Sequence, residues 1–185
     1  MFSVCLFCSA VEGLPPAFRA AASAFGTECA RRGWRLIYGG SRKGLMGDAA
    51  RAAMAAGGEV VGVMPHFLAA PEVANRDITE LRMVDTLAQR KEVMCALSDA
   101  FVCLPGGVGT LDELLEMITM FDLRLHQKPT LLCSVDGFWD SFGALLETFE
   151  ARGVLRPTLK ASYRIVPDVA AAMTALEGLA PRSGA

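Results

Sequence analysis

Short apolar runs bounded by turn residues alternate along this chain with longer stretches whose apolar positions recur every three or four residues. The short runs fall at 3–7, 35–38, 60–63, 81–84, 100–104, 130–135 and 163–166. The longer ones fall at 16–32, 45–56, 86–98, 110–125, 138–152 and 168–179. Several short runs are continuously apolar, as expected for strands of a parallel sheet covered on both faces. In the stretch 110–125, Leu111, Leu114, Leu115, Ile118 and Phe121 form a stripe at helical spacing. Repeated strand–helix alternation predicts an α/β fold, a doubly wound parallel sheet flanked by helices in one domain over residues 1–185. Right-handed crossovers then gather the strand-to-helix loops along one edge, and a ligand is expected there, near the reversal of strand order. The segment 65–79 is the one long irregular stretch, and the tail 181–185 is expected to fray.

Three of those loops have the composition of an anion site. Cys8-Ser9-Ala10 follows the first run, and Ser9 offers a hydroxyl or an ordinary turn. Gly39-Gly40-Ser41-Arg42-Lys43-Gly44-Leu45-Met46-Gly47 follows the second. Its glycines permit close backbone approach, and the next helix starts there with free N–H groups. The alternative is a tight strand–helix turn. It is no P-loop, since Lys43 precedes Gly44 and no Gly-Lys-Ser/Thr follows. The third loop is Pro105-Gly106-Gly107-Val108-Gly109-Thr110-Leu111-Asp112-Glu113. Thr110 is placed as the helix N-cap, and Glu113 one turn in, facing a ligand or complementing the helix dipole. On the preceding helix, Arg90 and Lys91 form either a solvated face or a clamp for phosphate or carboxylate.

Composition narrows the choices. The chain has 185 residues and a formal net charge of −2, so it lacks the basic footprint of a nucleic-acid binder. No run reaches the ~18 apolar residues of a membrane helix. Residues 1–10 lack a basic leader and read as a strand, so a cytoplasmic protein with reduced thiols is expected. Among the six cysteines, Cys5 and Cys8 have C-x-x-C spacing but sit in an apolar run with no second ligand pair. They are read as structural thiols, and no metal site is expected.

Residues 105–113 match P-G-G-x-G-T-x-x-E, and with Arg90-Lys91 upstream the chain resembles the Lonely Guy (LOG) family. These are cytokinin riboside 5′-monophosphate phosphoribohydrolases, formerly misnamed lysine decarboxylases. The resemblance spans about residues 3–156 and includes Tyr38-Gly39-Gly40, Gly62-Val63-Met64-Pro65 and His126-Gln127-Lys128-Pro129. It implies a Rossmann-like homodimer that needs no cofactor and cleaves the N-glycosidic bond of a nucleoside 5′-monophosphate. It places the catalytic pair on Arg90 and Glu113. Substrate-binding positions fall on Glu72, Lys91, Gly107, Val108, Gly109, Thr110, Leu111, Asp112 and Thr119, with Ser9, Gly40 and Ser41 in the first two loops. The chain departs from the family pattern at Ala88, where His is usual, at Ser41, where a third Gly is usual, and at Asp112, where Glu is usual. Those departures bear on which base is preferred, and an AMP nucleosidase is one alternative. A nucleotide-sensing domain without turnover is a second. A pyridoxal-phosphate decarboxylase is a third, for which none of the four lysines (Lys43, Lys91, Lys128, Lys160) has a marked setting.

Overall fold

The computed structural model describes residues 1–180, so the tail expected to fray at 181–185 lies outside the described residues. Seven parallel strands are joined through six α-helices: β1 (Ser3–Phe7), α1 (Pro16–Arg31), β2 (Arg35–Tyr38), α2 (Gly44–Ala55), β3 (Val60–Pro65), β4 (Glu80–Val84), α3 (Leu87–Leu97), β5 (Ala100–Cys103), α4 (Val108–Asp122), β6 (Thr130–Cys133), α5 (Asp140–Ala151), β7 (Tyr163–Val166) and α6 (Val169–Glu177). The spatial order is β4-β3-β2-β1-β5-β6-β7. The predicted doubly wound α/β sheet is therefore present, and its order reverses between β1 and β5. Val4 pairs with Ala100 and Phe7 with Cys103 across that seam. The carboxyl ends of β1 and β5 consequently open the crevice in which such sheets take their ligands.

Two apolar layers hold the sheet. Val4, Leu6 and Cys8 pack with Phe25 and Cys29 of α1, Leu45 and Ala49 of α2, and Met173 of α6. Cys5, Phe7 and Ile37 pack on the other face with Met94 of α3, Leu114, Met117 and Ile118 of α4, and Trp139. Burial on both faces is why the central strands read as continuous apolar runs. All six cysteines are free and buried, in accord with their reading as structural thiols. Among the described residues, no helix is long and apolar enough to cross a membrane.

Several boundaries move. β3 continues to Pro65, β5 and β6 stop at Cys103 and Cys133, and a short 3-10 turn, His66–Leu68, interrupts the segment expected to be irregular. The expected stripe of α4 is also rotated. Leu115 is exposed and Leu111 only half-buried, whereas Glu113, Leu114, Met117 and Ile118 are buried.

Candidate active site

Thr86 starts α3 with a reciprocal cap. Its side chain accepts from Gln89 N at 3.1 Å, and Gln89 Oε1 accepts from the N–H of Asp85 and Thr86. This fixes the first turn and aims the next residue, Arg90, across the ends of β2 and β3. Arg90 Nε donates to Val63 O at 3.0 Å and Nη2 to Gly39 O at 3.0 Å. Nη1 lies 3.5 Å from Glu113 Oε1. The side chains are 12% and 6% exposed, so the pair is desolvated and Arg90 is no solvated face.

Burial pushes the Glu113 carboxyl up to about 7, because a charge taken out of water favours its neutral form. Arg90 and Lys91 act against that, while Asp112 and Glu116 add to it. Beneath this carboxylate, burial and the Glu113 charge hold the Cys5, Cys8 and Cys103 thiols well above their usual range. They are neutral packing groups. Lys91, half-buried, bridges Asp112 at 3.0 Å and Glu116. Burial favours its neutral form, but the two carboxylates outweigh that and hold it protonated.

The third loop has open donors. Thr110 is not the N-cap. Gly107 is, with extended backbone at φ −93°, and Leu111 N closes the first helical bond onto Gly107 O. The N–H groups of Val108, Gly109 and Thr110 are left at the helix start with no side-chain cap. Thr110 is buried beneath Gly106, where a Cβ would stand 2.1 Å from Thr110 Oγ1. Positions 107 and 109, by contrast, face open space.

The second loop is different. The N–H groups of Leu45 and Met46 donate to Ser9 O at 3.0 and 3.3 Å, so the start of α2 is capped from within. Ser41 is buried, with its Oγ accepting from Lys43 N, and Gly40 O accepts from Asn75 N. Gly40 (φ +78°) and Gly44 (φ +54°) occupy the left-handed region. The loop at Gly40 and Ser41 is a tight turn, stapled to residues 73–75. Ser9 lines the crevice, with its N–H on Pro105 O at 3.1 Å and its hydroxyl accepting from Val11 N.

Glu72 and Thr119 are exposed, and no hydrogen bond or ion pair among the described residues joins either to the Arg90–Glu113 pair. Sequence reasoning missed the wall formed by Leu14, Phe18 and Phe138. With Ser9, Gly106 and Gly107 these residues line an apolar cavity of about 270 Å³ at the seam. The Phe18 and Phe138 rings meet edge-on at 5.6 Å. Phe18 lies in the first turn of α1 and Phe138 just before α5, and their pattern is that of ordinary core. A larger cavity, about 500 Å³, lies between α5 and β7 and contains none of the expected site residues.

A family model described as "Possible lysine decarboxylase" matches residues 46–176. Over 96% of this chain and 72% of its own length, a rice protein named probable cytokinin riboside 5′-monophosphate phosphoribohydrolase LOGL5 is 39% identical. A Rhodococcoides fascians protein named cytokinin riboside 5′-monophosphate phosphoribohydrolase is 39% identical over 94% of this chain and 88% of its own. Among solved structures, the molybdenum cofactor carrier protein of Chlamydomonas reinhardtii superposes with a TM-score of 0.73 at 21% identity, covering 96% of this chain and 97% of its own. That likeness is one of fold. The chain belongs to the Lonely Guy family.

Proposed function

We propose that this chain hydrolyses the N-glycosidic bond of a nucleoside 5′-monophosphate, a cytokinin riboside 5′-monophosphate or AMP, giving the free base and ribose 5-phosphate. The observation that carries the reading is a desolvated Arg90–Glu113 pair at 3.5 Å, its Glu113 on α4, the helix whose first N–H groups stand open at the crevice. The names of the relatives at 39% identity support the same chemistry. In this reading the protein is one nucleotide-binding domain, acts in the cytoplasm as a homodimer, and binds neither nucleic acid nor membrane.

The C1′–N bond breaks with its electron pair leaving on the base, which takes up a proton. Water oxygen then bonds C1′ and loses a proton. Positive charge grows on the sugar as the bond stretches, and ionised Glu113, its side chain 6% exposed, stabilises it from a position shielded from bulk solvent. Arg90 favours the ionised form of Glu113 and orients the nucleotide. The phosphate, bound at Val108–Thr110, supplies positioning energy remote from the reacting bond. Lysine-based cofactor chemistry fits the residues poorly. Lys91 is locked between two carboxylates, Lys160 pairs with Glu150, and Lys128 donates to Cys95 O at 2.7 Å. A Schiff-base lysine needs a lowered pKa, whereas Lys91 and Lys160 are both raised.

The test is direct. Purified protein incubated with a panel of nucleoside 5′-monophosphates should release base and ribose 5-phosphate in equal amounts. No base from any of them overturns the reading.

Because Glu113 works ionised, kcat/KM should rise with pH, with half the change near 7. The second ionisation of a substrate phosphate, at about 6, gives a separate limb that persists when Glu113 is replaced. A profile flat between pH 6.5 and 8 contradicts the assignment.

Assembly needs a corrected surface. The homodimer that the resemblance implies cannot use Met94, Met117 or Ile118, apolar residues of α3 and α4 that are buried in the chain's own core. Leu115, Leu123 and Leu125 are exposed along and just beyond α4 and take their place. Light scattering at micromolar concentration should give twice the 19.7 kDa chain mass. A value matching one chain excludes the homodimer.

A further inference from the structure

We propose that Gly39 is a positioning residue for Arg90, a role that rests on the catalytic reading of the Arg90–Glu113 pair. Gly39 directly follows β2, and its carbonyl accepts from Arg90 Nη2 at 3.0 Å. With Val63 O on Nε, this makes a two-point seat that takes one edge of the guanidinium and leaves Nη1 turned to Glu113. The seat is deep because position 39 has no side chain. A Cβ there would stand 1.7 Å from Nη2 and 2.9 Å from Cζ of Arg90.

The requirement is steric rather than conformational. Gly39 is absent from the positive-φ glycines, which include its neighbour Gly40 at +78°. Alanine at 39 is therefore compatible with the backbone, and Arg90 is its principal collision. The next nearest atom, Met46 Cε, lies 3.1 Å away at the end of a flexible side chain. Such a methyl group evicts the guanidinium from both carbonyls and removes from Glu113 the nearest charge that opposes its protonation. A point-charge cation could not use the seat, which needs two donors set apart on a planar fork.

The experiment is a double-mutant cycle of Gly39→Ala and Arg90→Ala, read as kcat/KM for a nucleoside 5′-monophosphate, with melting temperatures for all four proteins. Gly39→Ala should lower kcat/KM 10-fold or more, and its limb near pH 7 should move to higher pH. In the Arg90→Ala background the same change should cost less than about 2-fold, because the group it displaces is gone. If Gly39→Ala alone fails to fold while the double variant folds, the collision is with Arg90 and the proposal stands. A double variant that fails to fold, an additive loss, or a Gly39→Ala protein with the normal limb and kcat/KM overturns it. The catalytic reading is judged separately: Arg90→Ala with normal turnover defeats that reading, whatever position 39 does.

Discussion

Glu113→Gln is expected to lower turnover about 10²-fold or more while KM changes little, the scale seen on losing one strong electrostatic contact in a transition state. Glutamine keeps the shape and hydrogen-bonding capacity of the side chain and removes only its charge. That charge has its largest effect when positive charge develops on the ribose, so ground-state binding is spared. The same variant should gain stability at alkaline pH. The folded-state pKa of Glu113, about 7, lies above the usual 4.5, so the folded protein holds a proton that the unfolded chain releases. The associated stability is present in full below pH 4.5 and is lost as pH rises through 7. By pH 8 the loss is on the order of 2–4 kcal/mol. Glutamine carries no such penalty. The melting temperature of Glu113→Gln relative to the parent should therefore rise between pH 5 and pH 8 as base release collapses. A surface glutamate that merely complements the dipole of α4 would leave turnover near normal and shift stability by only a few tenths of a kcal/mol. Base release and melting measured on one preparation separate the two, and near-normal turnover defeats the mechanism.

Pattern alone left Glu113 open between facing a ligand and complementing the helix dipole, and the burial of α4 shows why. Hydrophobic periodicity located α4, but it placed Leu115 on the inner face. The buried face is rotated toward Glu113, whose carboxylate occupies a position an apolar residue would otherwise fill. Hydrophobic periodicity gives no credit to a charged residue in a buried position, so it turned the inner face toward Leu115 instead. The strands were legible for the complementary reason: Val4 to Phe7 and Ala100 to Cys103 are buried on both sides, and nothing in them breaks the apolar run. Residue type also misled at the helix start. Thr110 has the chemistry of a cap, but the extended backbone of Gly107 begins the helix three residues earlier and draws Thr110 into the first turn. The glycine cluster at 39–47 was ambiguous in principle. Glycines that cradle an anion and glycines that let chains touch are the same residue, and residue type does not show that the Ser9 carbonyl takes the N–H groups of Leu45 and Met46. Gly39 belongs to the second kind, because what approaches it is Arg90.

Removing the 5′-phosphate from the substrate should cost about 10³-fold in kcat/KM, so that AMP is cleaved and adenosine scarcely at all. Charge-assisted hydrogen bonds contribute roughly 1.5–3 kcal/mol each, and Val108, Gly109 and Thr110 present three N–H groups at the positive end of α4. Two such bonds realised suffice for the factor at about 1.4 kcal/mol per tenfold. The interaction lies away from C1′, so it acts by holding the ribose against Glu113, and its loss should appear in kcat as well as KM. Gly107→Ala gives the matching test on the protein side. Position 107 has extended backbone that alanine adopts, its Cβ would meet nothing within 4 Å, and the residue lines the 270 Å³ cavity at the seam. The variant should melt with the parent yet bind monophosphates more weakly, because a methyl group then stands beside the anion. Its activity on nucleosides, already low, should not fall further. Equal turnover of AMP and adenosine by the parent protein would mean that the open end of α4 does not hold the phosphate, and an equal loss on both substrates in Gly107→Ala would place the methyl group against the ribose instead.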